Sequence, residues 1–334
     1  MASRNPVVIE VMRGQVVESS HQVMAAVADE HQRIVTSWGN IGFLTLPRSA
    51  IKMIQTLPLI ESGAFDRFAL DDRHLALASA SHRGTKEQIE LAKDWMQKVG
   101  IKEEMLVCGF HPPSDEAALA EFHRAQTKPS PLFNNCIGKH LALITTCLHL
   151  KEDPKGYDKY DHPAQKRLRQ VLGEATKLDH QKTPHAIDGC GVLTYGLPLQ
   201  NLAMAMSVFY NGKETELRKA SAARVLKAVQ DHAALFSGPG DFTTLVLEKT
   251  KGKAIVKNGA EGVYCGLIPD RKVSFAVKCA DGSHRGARAV VALLLRKYGA
   301  FSEPDFSANL DWLVPPVKTW KGEKIGQIRV LAEG

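Results

Sequence analysis

The chain has 334 residues, of which 44% are hydrophobic and 24% charged; this is too apolar for a disordered chain and enough to bury a sizeable core. Its net charge of +7 does not point to nucleic acid, because the basic residues alternate with Asp and Glu and no aromatic-rich RNA-binding signature accompanies them. Residues 1–10 lack the apolar core of a signal peptide, and no stretch approaches the roughly 18 apolar residues of a membrane span, so no membrane partner and a cytoplasmic location are expected.

In chain order, residues 7–12 and 16–18, around Gly14-Gln15, then 23–28 and 33–37, read as short strands spaced for antiparallel hairpins. Pro47-Arg48-Ser49-Ala50-Ile51-Lys52 opens a helix, since proline suits the first helical position. Thr85-Lys86-Glu87-Gln88 fits a capping box ahead of an apolar face of Ile89, Ala92, Trp95, Met96 and Val99, and Gly100 closes that helix. Further helices are predicted over 114–126, 137–149, 163–176, 199–210 and 214–236. Strands resume at 242–248, 254–256, 262–267 and 273–278, separated by Gly, Pro and Asp turns, and a last helix over 285–298 packs on the sheet. The pattern predicts one α+β domain over 1–334, with a sheet lobe from about 1–45 and 240–300 and an inserted helical lobe from about 49–236.

Five segments carry chemistry. Ser49 and Lys52 stand at i and i+3, so both face one side of a first turn, where a neutral lysine takes a serine proton and the helix N-terminus favours the alkoxide. A Ser-x-x-Lys pair alone also occurs as a solvated serine beside a surface lysine. The small-residue run 75–80 leads to Ser81 at a polar tip, and Lys257-Asn258-Gly259 leaves a late strand in the manner of the Lys-Thr-Gly element of penicillin-recognising serine enzymes. The order of these three elements fits a transpeptidase-like, β-lactamase-like plan. In the remaining two segments, Asn134-Asn135-Cys136-Ile137-Gly138-Lys139-His140 sets Cys136 and Lys139 one turn apart, and Asp188-Gly189-Cys190-Gly191 offers a second thiol. Two thiolates suit zinc with a carboxylate nearby, although the spacing is not Cys-x-x-Cys and simple burial of reduced cysteines is the competing reading. The remaining cysteines, Cys265 and Cys279 among them, read as packing.

Taken together, the segments 47–52, 80–82, 134–140, 161–163, 188–191 and 259–265 resemble the rhizobial-type L-asparaginases, the class 3 enzymes of the asparaginase II family. The resemblance implies a cytoplasmic amidohydrolase that converts L-asparagine to L-aspartate and ammonia. It also implies two serine–lysine pairs, Ser49 with Lys52 and Ser81 with Lys257, a zinc ion on Cys136, Lys139 and Cys190 with Asp188 beside it, and a homodimer. Lys278, on a neighbouring strand, is the alternative to Lys257. The sequence departs from the family pattern at Arg83 and Thr85, where Ser and Glu are usual, at Ile137, where a small polar residue is common, and at Ser79, where cysteine is common. A glutaminase or a penicillin-recognising acyl-serine enzyme is the alternative activity.

Overall fold

The structure, a computed structural model, describes residues 2–3, 5–210 and 215–332. The chain divides into two compact units: Met1–Ala50 with Leu197–Ser207 and Val246–Gly334, and Ile51–Gly196 with Val208–Leu245.

The first unit is built on a sheet. Among the described residues it has eight strands: β1 (Ala2–Ser3), β2 (Val7–Arg13), β3 (Val16–Asp29), β4 (Ile34–Trp38), β5 (Ile255–Gly259), β6 (Val263–Ile268), β7 (Val273–Cys279) and β8 (Ile328–Leu331). The order β1-β4-β3-β7-β6-β5 brings both ends of the chain into one sheet, and every pairing along it except β1 with β4 is antiparallel. Val7, Ile9 and Val11 are buried at alternate positions of β2, the period-2 pattern of a strand with one covered face. The two strands expected over 16–18 and 23–28 are one, β3, because the polar run Ser19-Ser20-His21-Gln22 is carried by its ladder with β2. β8, which pairs with β2, lies beyond the expected limit of the sheet lobe; four residues are too few to show a period.

Register assigns the faces of this sheet. Cys265 pairs with Lys257 on one side and Ala276 on the other, and Val263 pairs with Gly259 and Lys278, so all six share a face. Helix Leu199–Ala205 covers that face, with Ser274 Oγ donating to the Ala203 carbonyl at 2.7 Å. Helix His284–Lys297 covers the other, with Arg288 Nε donating to Tyr264 Oη at 2.9 Å.

The second unit is helical: Lys52–Glu61, Asp72–Ala78, Lys86–Val99, Glu116–Arg124, Ile137–His149, Pro163–Thr176, Glu216–Asp231 and Ala233–Ser237 enclose a core that includes Leu75, Leu77, Trp95, Ile137, Leu141 and Leu168. The capping box at Thr85 forms in both directions, and Gly100 ends that helix at φ +79°. Gly138 is required by packing, since a Cβ there would lie 1.9 Å from the Leu77 carbonyl oxygen. The helix from Ile137 therefore crosses the end of Asp72–Ala78 at backbone contact.

Three elements differ from expectation. Residues 199–210 form an α-helix only to Ala205 and continue as a 3-10 turn, Met206–Phe209. The helix expected over 214–236 breaks at His232 (φ −128°), and its expected first residue, Glu214, lies outside the described residues. The strand expected over 242–248 is a helix, Phe242–Lys249, and that expectation is corrected. Asp241 accepts the Thr243 N–H at 2.9 Å and starts this helix. An apolar run buried on most sides cannot be separated from a strand by period alone.

Candidate active site and metal centre

In the sheet unit, Pro47 leads into a 3-10 turn, Arg48–Ile51, that carries the half-buried Ser49 and continues directly into helix Lys52–Glu61. Arg48 adopts φ +51°, a left-handed conformation costing a non-glycine residue about 1–3 kcal/mol. The strained residue stands immediately before the candidate nucleophile. The turn is seated on the sheet: Cys265 Sγ donates to the Ala50 carbonyl at 2.8 Å, and a Cβ at Gly259 would lie 2.3 Å from the Pro47 carbonyl oxygen. Only glycine permits this approach, which brings the Lys257-Asn258-Gly259 strand end against the Ser49 turn. Lys257 is fully buried, its Nζ donating to the carbonyl and Oδ1 of Asn258 at 3.1 and 3.0 Å. Lys278 Nζ instead donates to the Glu261 and Cys279 carbonyls, each at 2.6 Å, and burial lowers its pKa from the ordinary lysine value.

In the helical unit, Lys52 is 1% exposed. Its Nζ donates to the Ala80 carbonyl at 2.6 Å and the Asn135 carbonyl at 3.1 Å, and reaches Ser81 Oγ at 3.5 Å. The loop after Asp72–Ala78 is held for this purpose: Ser81 N–H donates to the Phe236 carbonyl, and His82 N–H to the Asn135 carbonyl, both at 3.2 Å. Asn135 N–H in turn donates to His111 Nε2 at 2.8 Å, and the Asn134 side chain donates to the Cys108 carbonyl at 2.7 Å while accepting Cys136 N–H. Burial, then the Lys52 charge, drives the His82 pKa down to about 3, so a neutral imidazole backs this loop. Arg83, one of the departures from the family pattern, donates to the Ser114 carbonyl at 2.8 Å and packs its stem on Gly238, where a Cβ would come within 2.6 Å of Arg83 Cδ. It braces the loop that carries His111.

The thiol segments also meet within the helical unit. Cys136 is the N-cap residue of helix Ile137–His149, and Lys139, one turn in, donates from Nζ to Cys190 Sγ at 3.1 Å. Cys190 sits on a tight turn, with Gly191 N–H donating to the Asp188 carbonyl at 2.8 Å and Gly191 at φ +86°. The two cysteines and Lys139 are all nearly free of solvent. A hydrogen bond from Cys190, working against burial and aided by the Lys52 and Lys139 charges, holds the Cys136 thiol well below its usual range. As the donor in that pair, and by its burial, Cys190 is pushed up. Burial disfavours charge on Lys139, yet Cys136, Cys190 and Asp188 together raise its pKa above the ordinary lysine value. The cluster thus joins one thiol held down, one pushed up and a lysine whose proton is held more tightly than usual. Two sulfurs and one nitrogen, with a carboxylate beside them, fit a zinc site of three protein ligands and an open position, provided that the lysine and the second thiol give up their protons.

Structure thus brings together Lys52 with Ser81, and Cys136 with Lys139 and Cys190 near Asp188, inside one unit; it brings the Gly259 strand end to the Ser49 turn inside the other. The carbonyls of Ala80 and Asn135 and the imidazole of His111 were not singled out from the sequence. A backbone carbonyl leaves no side-chain signature, and His111 belongs to no motif spacing.

A sequence profile for the family described as L-asparaginase II matches residues 9–330. Among curated proteins, none matches the chain. Similar solved structures include a Bacteroides dorei DSM 17855 protein assigned to the beta-lactamases, at 12% identity and a TM-score of 0.41, covering 77% of this chain and 84% of that one. A beta-lactamase from Mycobacterium bovis is similar at 9% identity and a TM-score of 0.40, covering 87% of this chain and 95% of that one. Among the described residues, no helix is long and apolar enough to cross a membrane.

Proposed function

This chain belongs to the L-asparaginase II family, and we propose that it hydrolyses L-asparagine to L-aspartate and ammonia with a serine nucleophile served by lysine. Ser49 attacks the side-chain amide carbon, ammonia leaves with a proton, and water cleaves the resulting ester to release aspartate. The observation that carries the reading is the environment of Lys52. Its Nζ donates to the Ala80 and Asn135 carbonyls and reaches toward Ser81 Oγ at 3.5 Å, so the amine is held beside a hydroxyl by neutral groups. Lys52, beside Ser81, is assigned as the base and Lys257 as a second basic group; the approach of Gly259 to the Pro47 carbonyl favours Lys257 over Lys278. The strained Arg48 backbone supports Ser49 as the presented nucleophile.

Cys136, Lys139 and Cys190 would hold a zinc ion beside Asp188, and when bound it supplies Lewis acidity for holding substrate. These residues otherwise orient the helix start at Ile137 and, through Asn135, the carbonyl on which Lys52 rests. The active species is a homodimer, testable by sedimentation. The deciding experiment is ammonia release from asparagine and glutamine, beside turnover of a chromogenic β-lactam, for the parent and Ser49→Ala. Asparagine turnover that disappears in the variant supports the reading. Activity on glutamine or the β-lactam alone would replace the substrate, and full activity of Ser49→Ala would move the nucleophile to Ser81.

A further inference from the structure

In the sheet unit, three side chains of metal-binding type converge outside the serine, lysine and cysteine centres described above. His21 lies within β3, Cys279 ends β7, and Asp281 follows in the turn before helix His284–Lys297. One ligand atom from each lies within 4.8 Å of the others. Asp281 is the junction: Oδ2 is 2.6 Å from His21 Nδ1, and Oδ1 accepts from Cys279 Sγ and from Ser283 N–H, each at 2.9 Å. The ladder pairs Cys279 with Val23, two residues along β3 from His21, which fixes the thiol beside the imidazole. Two glycines leave room for the group. A Cβ at Gly286 would lie 2.9 Å from both Cys279 Sγ and His21 Cβ, and one at Gly262 would lie 2.8 Å from Cys279 Cβ. Cys279 is fully buried and His21 nearly so, whereas the Asp281 side chain is 49% exposed, so the cluster opens to solvent on its carboxylate side.

We propose that His21, Cys279 and Asp281 form a zinc site, distinct from the Cys136, Lys139 and Cys190 centre, that clamps β3 and β7 to the entry of helix His284–Lys297. An imidazole nitrogen, a thiolate sulfur and a carboxylate oxygen are the ordinary zinc donors, and together they complete three corners of a tetrahedron whose fourth faces solvent. Zinc enters by displacing the Cys279 thiol proton, which passes to solvent, while the neutral imidazole presents Nδ1 to the ion and carries its single proton on Nε2. The ligand atoms then separate by several tenths of an ångström, since each would lie about 2.0–2.3 Å from the ion. Arg285 stands behind the imidazole, its Nη2 3.4 Å from His21 Nε2 and 3.1 Å from Ser19 Oγ. Two anionic ligands balance the ion against that guanidinium. The site holds structure and takes no part in the serine chemistry, so it stands whether or not the asparaginase reading does.

The test is zinc content by mass spectrometry after equilibrium dialysis, for the full-length parent, Cys279→Ala, Cys190→Ala and the double variant. The expected values are about two ions per chain in the parent, about one in each single variant and none in the double. In the Cys190→Ala background, zinc should raise the melting temperature and cobalt should give thiolate-to-metal absorption; adding Cys279→Ala should abolish both. Should Cys279→Ala fail to fold, Asp281→Asn at the exposed corner replaces it with the same expectation. Zinc content in Cys279→Ala equal to that of the parent, or a Cys190→Ala protein that neither binds nor responds to zinc, overturns the proposal and leaves a purely hydrogen-bonded turn. Loss of zinc in Cys279→Ala with none lost in Cys190→Ala would support this site and remove the ion from the other centre.

Discussion

Lys52 and Lys139 are the same residue type, each in the first turn of a helix and each almost wholly buried in the helical unit, yet their surroundings differ in charge. Lys52 faces neutral groups, two carbonyls and a hydroxyl. Lys139 faces two thiols and the Asp188 charge, which raise its pKa above the ordinary lysine value. Burial is therefore no guide to a lysine's role. What separates the two is the charge of the groups they touch, neutral acceptors at Lys52 and ionisable groups at Lys139.

The sharpest way to break this comparison is Lys52→Met, which keeps the chain length and removes the amine. Asparagine turnover should fall by about 10²–10⁴-fold, as expected for loss of a general base, while Lys139→Met should retain much more of the turnover at saturating substrate. Equal losses of kcat in the two variants would show that the lysines do not differ in kind.

Both lysines depend on one helix crossing, so Gly138→Ala should disturb both. Its new methyl would lie 1.9 Å from the Leu77 carbonyl oxygen, an overpacking expected to cost about 3 kcal/mol or more. Denaturant titration would measure it, and a variant as stable as the parent would mean that the crossing relaxes easily and does not set the geometry.

The burial of His82 should also be visible in the acid stability. His82 is buried and neutral in the folded chain, with a pKa of about 3 against 6.5 for the free side chain. Between those values the unfolded chain binds the extra proton, so stability is full above about pH 6.5 and falls as the pH drops toward 3, by up to a few kcal/mol. Melting temperatures across that range should decline less in His82→Gln than in the parent. Parallel curves would place the acid sensitivity elsewhere.

The smallest effect belongs to Lys139. A zinc ion bound as proposed would displace its proton and that of Cys190, both held more tightly than usual, so apparent zinc affinity should then rise with pH by about tenfold or more per unit. Competition with a chromophoric chelator between pH 6 and 8 would read this, and a flat profile would exclude Lys139 as a ligand.

Much of this chain is determined locally. The capping box at Thr85, the proline at 163 and the helix start after Cys136 place three helices at their observed first residues, because caps and periodicity act over one or two turns. Alternation in β2 and the Gly, Pro and Asp turns between the late strands likewise mark a sheet drawn from both ends of the chain. The segments with chemistry were legible for the same reason, as short runs of defined spacing. Tertiary structure alone decided the rest. It joined 16–18 to 23–28 through a ladder, turned 242–248 into a helix through Asp241, and added β8 from a strand too short to show a period. It also decided what Lys52 touches. Ser81 lies 29 residues from Lys52 and Asn135 lies 83 away, and neither carbonyl that binds the amine has a side-chain signature. Their positions follow from the contact of Gly138 with Leu77 and from the bond of Asn135 to His111, which exist only once the helices have packed.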